Sequence, residues 1–179
     1  GAGFYLDATQ APWSRHFRMH QYVAHELPAL VGGRFAADPD RSGILGHSMG
    51  GHGALTLALR YPRRFRSVSA FAPIVAPSAV PWGLKAFPRY LGADRATWLA
   101  HDACALVAKH PHPGTILVDQ GLADRFLEVQ LQPERFEDAC ARAGQKLVLR
   151  RQSGYDHGYW FIQSFIADHL RHHARELGG

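Results

Sequence analysis

The stretch GHSMG at residues 46–50 constrains the fold of this chain more than any other feature of the sequence. An apolar run at residues 42–45 precedes it, and a helical pattern of small and apolar residues at 50–60 follows it. The chain therefore carries a G-x-S-x-G motif at a predicted strand-to-helix turn, which is the context that makes this motif informative. Such a turn strains the backbone of the serine and brings strand and helix close together. We therefore expect both motif glycines to be required sterically.

Ser48 is the predicted nucleophile of this turn. The turn holds its hydroxyl clear of the surface, and the following helix directs unpaired amides and the positive end of its dipole to the same place. The backbone N–H of Met49 is the predicted donor to an oxyanion that forms there. The alternative interpretation is a glycine-rich turn that merely contains a serine, and the strand and helix on either side favour the nucleophile.

A serine hydroxyl becomes a nucleophile only when a base takes its proton and an acid orients that base. In doubly wound hydrolases the chain order is serine, acid, histidine, with each residue on a loop that follows a strand. His157 lies between the last predicted strand, 146–150, and the last predicted helix, 159–177, with glycines on both sides. We therefore predict that His157 is the base.

The three later histidines lie on the predicted C-terminal helix. His169, His172 and His173 are expected to form a solvated basic face near the helix end, where cations are favourable. His169 and His173 are four residues apart and could share a metal ion. No cysteine or acid stands nearby at ligand spacing, so we expect no metal site.

Two aspartates compete for the role of the acid. Asp119 ends the predicted strand 115–118, where a carboxylate often accepts hydrogen bonds from loop amides. Asp124 lies farther along the loop and has more reach toward another loop. Asp156 is adjacent to His157, and neighbouring side chains diverge. The residues alone favour Asp124 and leave Asp119 as the alternative.

The order of predicted elements indicates an α/β fold. Apolar strands at 42–45, 67–71, 115–118 and 146–150 alternate with helical patterns, which predicts a mostly parallel sheet with helices on both faces. A length of 179 residues suits a single domain over residues 1–179. Residues 76–100 are rich in proline and glycine, so we expect an irregular insertion there, over one end of the sheet.

Composition and charge exclude several classes of function. A hydrophobic content of 46% with 20% charged residues is typical of a globular protein. The net charge of +5 is dispersed among acidic residues, without the arginine and aromatic stripe of a nucleic-acid partner. No apolar run reaches the length of a membrane span, and no signal peptide is visible. Cys104 and Cys140 have no paired spacing, which indicates a reducing, cytoplasmic compartment.

Five segments of the chain closely resemble the S-formylglutathione hydrolases of the esterase D family. They are GHSMGGHGALTLAL, SVSAFAPI, PWGLKAFPRYLG, DQGLADRFL and GYDHGYWFIQSFIADHLRHHA. The resemblance implies an α/β-hydrolase fold and a thioesterase that releases formate and glutathione during formaldehyde detoxification. It implies no cofactor and no metal, with a glutathione thioester as the small-molecule substrate, and it is compatible with a homodimer.

The resemblance also assigns residues. Ser48 matches the nucleophile, His157 in GYDHG matches the base, and Asp124 in DQGLADRFL matches the acid, which chooses it over Asp119. The Met49 N–H matches one oxyanion donor. Trp82, in PWG, lies in a segment near the acyl pocket of such enzymes, although an ordinary core aromatic is an equally good interpretation.

The chain differs from the family at its amino-terminal end. Relatives carry about a third more chain before the GAGFY segment, with the first strands of the sheet and the loop that gives the second oxyanion amide. We therefore expect a carboxyl-terminal portion with an exposed nucleophile strand, weak stability and poor activity. The alternatives are a general carboxylesterase or acyltransferase with the same three residues, and a non-catalytic fragment.

Overall fold

A parallel sheet forms the centre of the computed structural model, which describes residues 3–178. Within that range the strands are β1 (Ser42–His47), β2 (Phe65–Phe71), β3 (Ile116–Gly121) and β4 (Leu147–Gln152). They lie in the order β1-β2-β3-β4, and each neighbouring pair is parallel. The predicted parallel sheet is confirmed, and the carboxyl ends of all its strands meet at one edge.

Helices connect the strands and cover the sheet. The α-helices in the described part are α1 (Met19–Gln21), α2 (Leu27–Arg34), α3 (Met49–Arg60), α4 (Pro81–Leu91), α5 (Arg95–Trp98), α6 (Ala103–Lys109), α7 (Pro133–Ala143) and α8 (Tyr159–Glu176). Single π-helical turns occupy Tyr22–Glu26, between α1 and α2, and Leu127–Leu131, before α7.

The alternation of side chains along β2 shows that both faces of the sheet are covered. Val68 belongs to the hydrophobic cluster that contains Leu55 of α3. Ser67 and Ser69, which point to the opposite face, hydrogen-bond to His173 of α8. Because helices lie on both faces, the α/β architecture expected from the sequence is confirmed.

The expectation of irregular structure over residues 76–100 is wrong for most of that segment. Helix α4 starts at Pro81, in the first turn, where the missing N–H of proline costs nothing, and it contains Pro88 in its interior. Phe87, fully buried, and Leu91, nearly so, anchor the helix in the core. Tertiary packing therefore outweighs the local cost of Pro88. The sequence prediction is wrong because it treats each proline as the end of a helix.

The sequence predicts that a helix opens at Trp13-Ser14, with Ser14 as its N-cap, and this prediction is wrong. Trp13–Arg15 forms a short 3-10 turn, and the α-helix begins at Met19. The carboxylate of Asp7 accepts a hydrogen bond from the backbone N–H of Gln21 over 3.0 Å. The cap therefore comes from a residue well upstream, which a search for adjacent capping residues does not find.

Strand β1 lies at an edge of the sheet. Across residues 3–178 it pairs with β2 alone, and its side chain Leu45 is 42% exposed. Strand β1, which leads to Ser48, is thus an open edge in the described part of the chain, as the sequence predicts. The structure also has no helix among residues 3–178 that is long and apolar enough to cross a membrane.

Candidate active site

Ser48 occupies the turn between β1 and α3 in a conformation that side-chain-bearing residues rarely adopt. Its φ is 58° and its ψ is −116°. The backbone is held there by two hydrogen bonds to neighbouring elements: Ser48 N–H donates to the Phe71 carbonyl over 2.8 Å, and Ser48 O accepts from Ile74 N–H over 3.3 Å. Strain of this kind persists only where the surroundings enforce it, and it is concentrated at functional sites.

The two motif glycines differ in their steric role. A Cβ at Gly46 would lie 2.1 Å from the carbonyl oxygen of Gly50, so only glycine fits. A Cβ at Gly50 would lie no closer than 3.7 Å to its nearest neighbour, the Tyr5 hydroxyl, which is an ordinary contact. The expectation that both glycines are required is therefore wrong for Gly50, because only Gly46 faces the backbone of the crossing helix.

His157 and Asp124 form a hydrogen-bonded pair at the same edge of the sheet. The distance from His157 Nδ1 to Asp124 Oδ2 is 2.5 Å. Asp124 Oδ1 accepts a further bond from the Phe126 N–H over 2.8 Å. Burial alone would raise the pKa of Asp124, but the bonds from His157 and Phe126 outweigh it and lower the pKa below its ordinary value. Asp124 is therefore an ionised acceptor for His157.

Asp119, the alternative acid, is fully buried and bonded elsewhere. Its carboxylate accepts hydrogen bonds from Arg150 Nε over 2.9 Å, Gln152 Nε2 over 2.8 Å and His169 Nε2 over 2.8 Å. Burial raises its pKa, but these three donors reverse the effect and lower it. The structure therefore brings Asp124 to His157 and commits Asp119 to a separate network.

The helical histidines do not form the solvated face expected from the sequence. His169, His172 and His173 are only 0%, 4% and 8% exposed. His172 bonds to the Val68 carbonyl over 3.1 Å, and His173 Nε2 bonds to Ser69 over 2.8 Å. Helix α8 packs these side chains against the sheet, where each ring has at least one polar partner, while the buried Nδ1 of His169 has none among residues 3–178. Among residues 3–178 there is no group of three or more ligands that could hold a metal ion.

His47 lies beside His157, a contact that the sequence does not predict. The two ring centroids lie 4.4 Å apart, with the planes tilted by 44°. Burial and the proximity of His157 lower the pKa of His47 to about 4, so its ring is neutral near pH 7. The available signal was its position: His47 is the last residue of β1, at the edge where the later loops converge.

Ser48 and Met49 open into a cavity of about 410 Å³. Its other lining residues are mostly aromatic or aliphatic, with two cations: Phe4, Trp13, Ile74, Trp82, Lys85, Ala86, Arg89 and Tyr90. Trp82 lies 4.8 Å from the ring of Phe126, which in turn lies 5.1 Å from the ring of His157. Aromatic contacts thus connect the cavity to the histidine, while no hydrogen bond joins Ser48 and His157 within the described residues.

A parallel sheet covered on both faces, with a strained serine between a strand and a helix N-terminus, defines the α/β-hydrolase fold. The family model Esterase matches residues 1–172. The chain therefore belongs to this esterase family.

Comparison with individual proteins agrees with that assignment. The chain is 56% identical over 178 residues to the S-formylglutathione hydrolase of Paracoccus denitrificans (strain Pd 1222), covering 99% of this chain and 63% of the relative. A solved S-formylglutathione hydrolase from Agrobacterium tumefaciens superposes with a TM-score of 0.96 at 56% identity, covering 99% of this chain and 64% of the other. The chain thus spans slightly less than two thirds of these two relatives.

A more distant structure shows the same fold. A fluorophosphonate-binding serine hydrolase of Staphylococcus aureus superposes with a TM-score of 0.73 at 19% identity, over 99% of this chain and 68% of the other. At this level of identity the likeness concerns the fold alone.

Proposed function

We propose that this chain is a serine thioesterase that hydrolyses S-formylglutathione to formate and glutathione. The observation that carries the proposal is the short His157–Asp124 hydrogen bond at the sheet edge that also presents Ser48 in its strained turn. The identity of 56% to an S-formylglutathione hydrolase supports the choice of substrate. In this proposal the chain is one domain that needs no metal or cofactor.

The mechanism is acyl transfer through a formyl ester. Ser48 Oγ attacks the formyl carbon while His157 takes the hydroxyl proton, and ionised Asp124 orients the imidazole. The oxyanion of the tetrahedral intermediate accepts a hydrogen bond from the Met49 N–H, the first amide of α3, where the helix dipole also favours negative charge. The proton transfer from Ser48 to His157 needs a hydrogen bond that the described part of the free chain does not form, and catalytic hydrogen bonds often tighten only when substrate is bound.

The leaving group completes the first half of the reaction. The carbon–sulfur bond breaks, and His157 returns its proton to the glutathione thiolate. His157 then takes a proton from water, which attacks the formyl ester of Ser48, and formate leaves as Ser48 recovers its proton. Trp82, on the cavity wall, contacts the bound substrate.

The experiment is a comparison of two substrates and two variants. S-formylglutathione should be hydrolysed with a higher kcat/KM than a simple aryl acetate. Ser48→Ala should abolish turnover, whereas Ser164→Ala, which removes an exposed hydroxyl on α8, should leave it unchanged. A preference for aryl acetates would indicate a general carboxylesterase, and full activity of Ser48→Ala would overturn the proposed nucleophile.

The cysteines support a cytoplasmic location as part of this proposal. Cys104 and Cys140 are both free thiols. Burial raises the pKa of Cys140 to about 12 and also raises that of Cys104, so both remain protonated and unreactive near pH 7. Glutathione is abundant in the reducing compartment that such thiols fit.

A further inference from the structure

The cavity beside Ser48 is much larger than the acyl group that the proposed reaction transfers. A formyl group is comparable in size to one water molecule, which occupies roughly 30 Å³ in the liquid. The cavity measures about 410 Å³. Most of this volume is therefore available to the thiol half of the substrate, which leaves after the first step.

Helix α4 supplies one wall of that cavity with a single face. Its lining residues follow the helical spacing of three and four and are Trp82, Lys85, Ala86, Arg89 and Tyr90. Lys85 and Arg89 are four residues apart, so their side chains are neighbours on this face. An otherwise aromatic and aliphatic wall thus carries two adjacent cations.

The charge of these two side chains is not neutralised within the described part of the chain. Across residues 3–178 neither Lys85 nor Arg89 forms an ion pair, and no lining residue of the cavity is acidic. Both side chains are exposed, so they reach the ligand without first losing another partner. An anionic group that enters the cavity would meet a positive field from this wall only.

From this arrangement we infer that Lys85 and Arg89 form a carboxylate subsite that holds the peptide half of a glutathione thioester while its acyl carbon lies at Ser48. The inference rests on the proposed function and deepens it by naming the residues that select the thiol. Glutathione carries a carboxylate at each end, and Arg and Lys bind carboxylates through charge-assisted hydrogen bonds. The aromatic wall at Trp82 and Tyr90 packs against the backbone between those ends.

Binding of S-methylglutathione tests the subsite without any need for turnover. This thioether keeps both carboxylates and cannot be hydrolysed at Ser48, and Trp13 and Trp82 in the cavity wall report its binding by their fluorescence. Lys85→Ala/Arg89→Ala should raise its Kd at least about tenfold. Lys85→Arg/Arg89→Lys keeps both positive charges on this wall and should therefore bind more tightly than the double-alanine variant.

Two controls separate local charge from general charge. Arg34→Ala/Lys109→Ala removes one exposed Arg and one exposed Lys outside the cavity and should leave the Kd unchanged. The diethyl ester of S-methylglutathione has no carboxylate, so it should bind the parent chain about tenfold more weakly than the acid. Added salt should weaken binding of the acid more than that of the ester.

The outcomes distinguish the subsite from the reaction. Equal Kd values for the parent chain and Lys85→Ala/Arg89→Ala, equal binding of acid and ester, or no binding of S-methylglutathione at all would each overturn the subsite. Charge-dependent binding without hydrolysis of S-formylglutathione would support the subsite and overturn the proposed function. Efficient hydrolysis of S-formylglutathione with an unchanged KM in the double-alanine variant would support the proposed function and overturn the subsite.

Discussion

The Nδ1 atom of His157 lies 2.5 Å from Oδ2 of Asp124, across 33 residues of sequence. The carboxylate that receives this bond is also held by the Phe126 amide, so its orientation does not depend on the histidine alone. His157 in turn contacts the ring of His47, the residue directly before Ser48. The pair is thus fixed by the loops after β3 and β4 against the end of β1.

Asp124→Asn should reduce kcat while preserving the fold. An amide in place of the carboxylate no longer stabilises the imidazolium and favours the wrong tautomer of His157, which costs roughly 10³- to 10⁴-fold in enzymes of this type. Steady-state kinetics with S-formylglutathione, alongside circular dichroism, would check this. A variant with the parent kcat would show that Asp124 does not orient the base.

Asp119→Asn should act on stability instead. Asp119 is buried and receives bonds from Arg150, His169 and Gln152, so loss of its charge should lower the free energy of unfolding by about 3 kcal/mol or more. Asp168, a second partner of Arg150 whose side chain is 41% exposed, provides the control, and Asp168→Asn should cost at most about 1 kcal/mol. Urea titration measures both; equal effects would contradict the assignment.

Gly46→Ala and Gly50→Ala should differ sharply although both alter the same motif. The Cβ at position 46 would overlap the Gly50 carbonyl, so we expect a loss of roughly 3 kcal/mol or failure to fold. The Cβ at position 50 has room, and alanine is about 1 kcal/mol better than glycine inside a helix, so Gly50→Ala should be neutral or stabilising. Thermal unfolding measures the Tm of both variants, and equal changes of Tm would contradict the predicted difference.

Acid should destabilise the chain through His173. Burial lowers its pKa from 6.5 to about 4, so between these values the unfolded chain binds a proton that the folded chain does not. The free energy of unfolding therefore falls as the pH drops from 6.5 toward 4. His173→Gln keeps a polar group near Ser67 and Ser69 but cannot titrate, and its slope against pH should be smaller by about one proton.

His16→Gln, at an exposed position, is the control for the substitution itself in this measurement. Equal slopes for the parent and His173→Gln would show that the buried ring does not resist protonation.

Local sequence patterns are sufficient to predict the parallel sheet and the turn at Ser48. The predicted runs at 42–45, 67–71, 115–118 and 146–150 each overlap one of the four strands, which extend to six or seven residues, and the turn follows from glycine and serine at fixed spacing. The residues alone left Asp119 and Asp124 both open, because the partners that occupy Asp119 come from β4 and α8.

The wrong predictions for His173, α1 and α4 share one physical cause. In each case the deciding contact comes from a residue that lies far away in the sequence. His173 is buried where the hydroxyls of Ser67 and Ser69, 106 and 104 residues away, hydrogen-bond to its two ring nitrogens, and nothing in the local pattern of α8 shows those hydroxyls. The start of α1 depends in the same way on Asp7, and the persistence of α4 through Pro88 depends on the pocket that receives Phe87. Hydrophobic periodicity describes one element at a time and contains none of these contacts.

Mass-spectrometric mapping of a fluorophosphonate adduct tests the central claim most directly, because only a serine activated by its base reacts rapidly with this reagent. We predict one modified residue, Ser48, with labelling strongly slowed in His157→Ala. An adduct on a different serine, or labelling of Ser48 at the same rate without His157, would contradict the account.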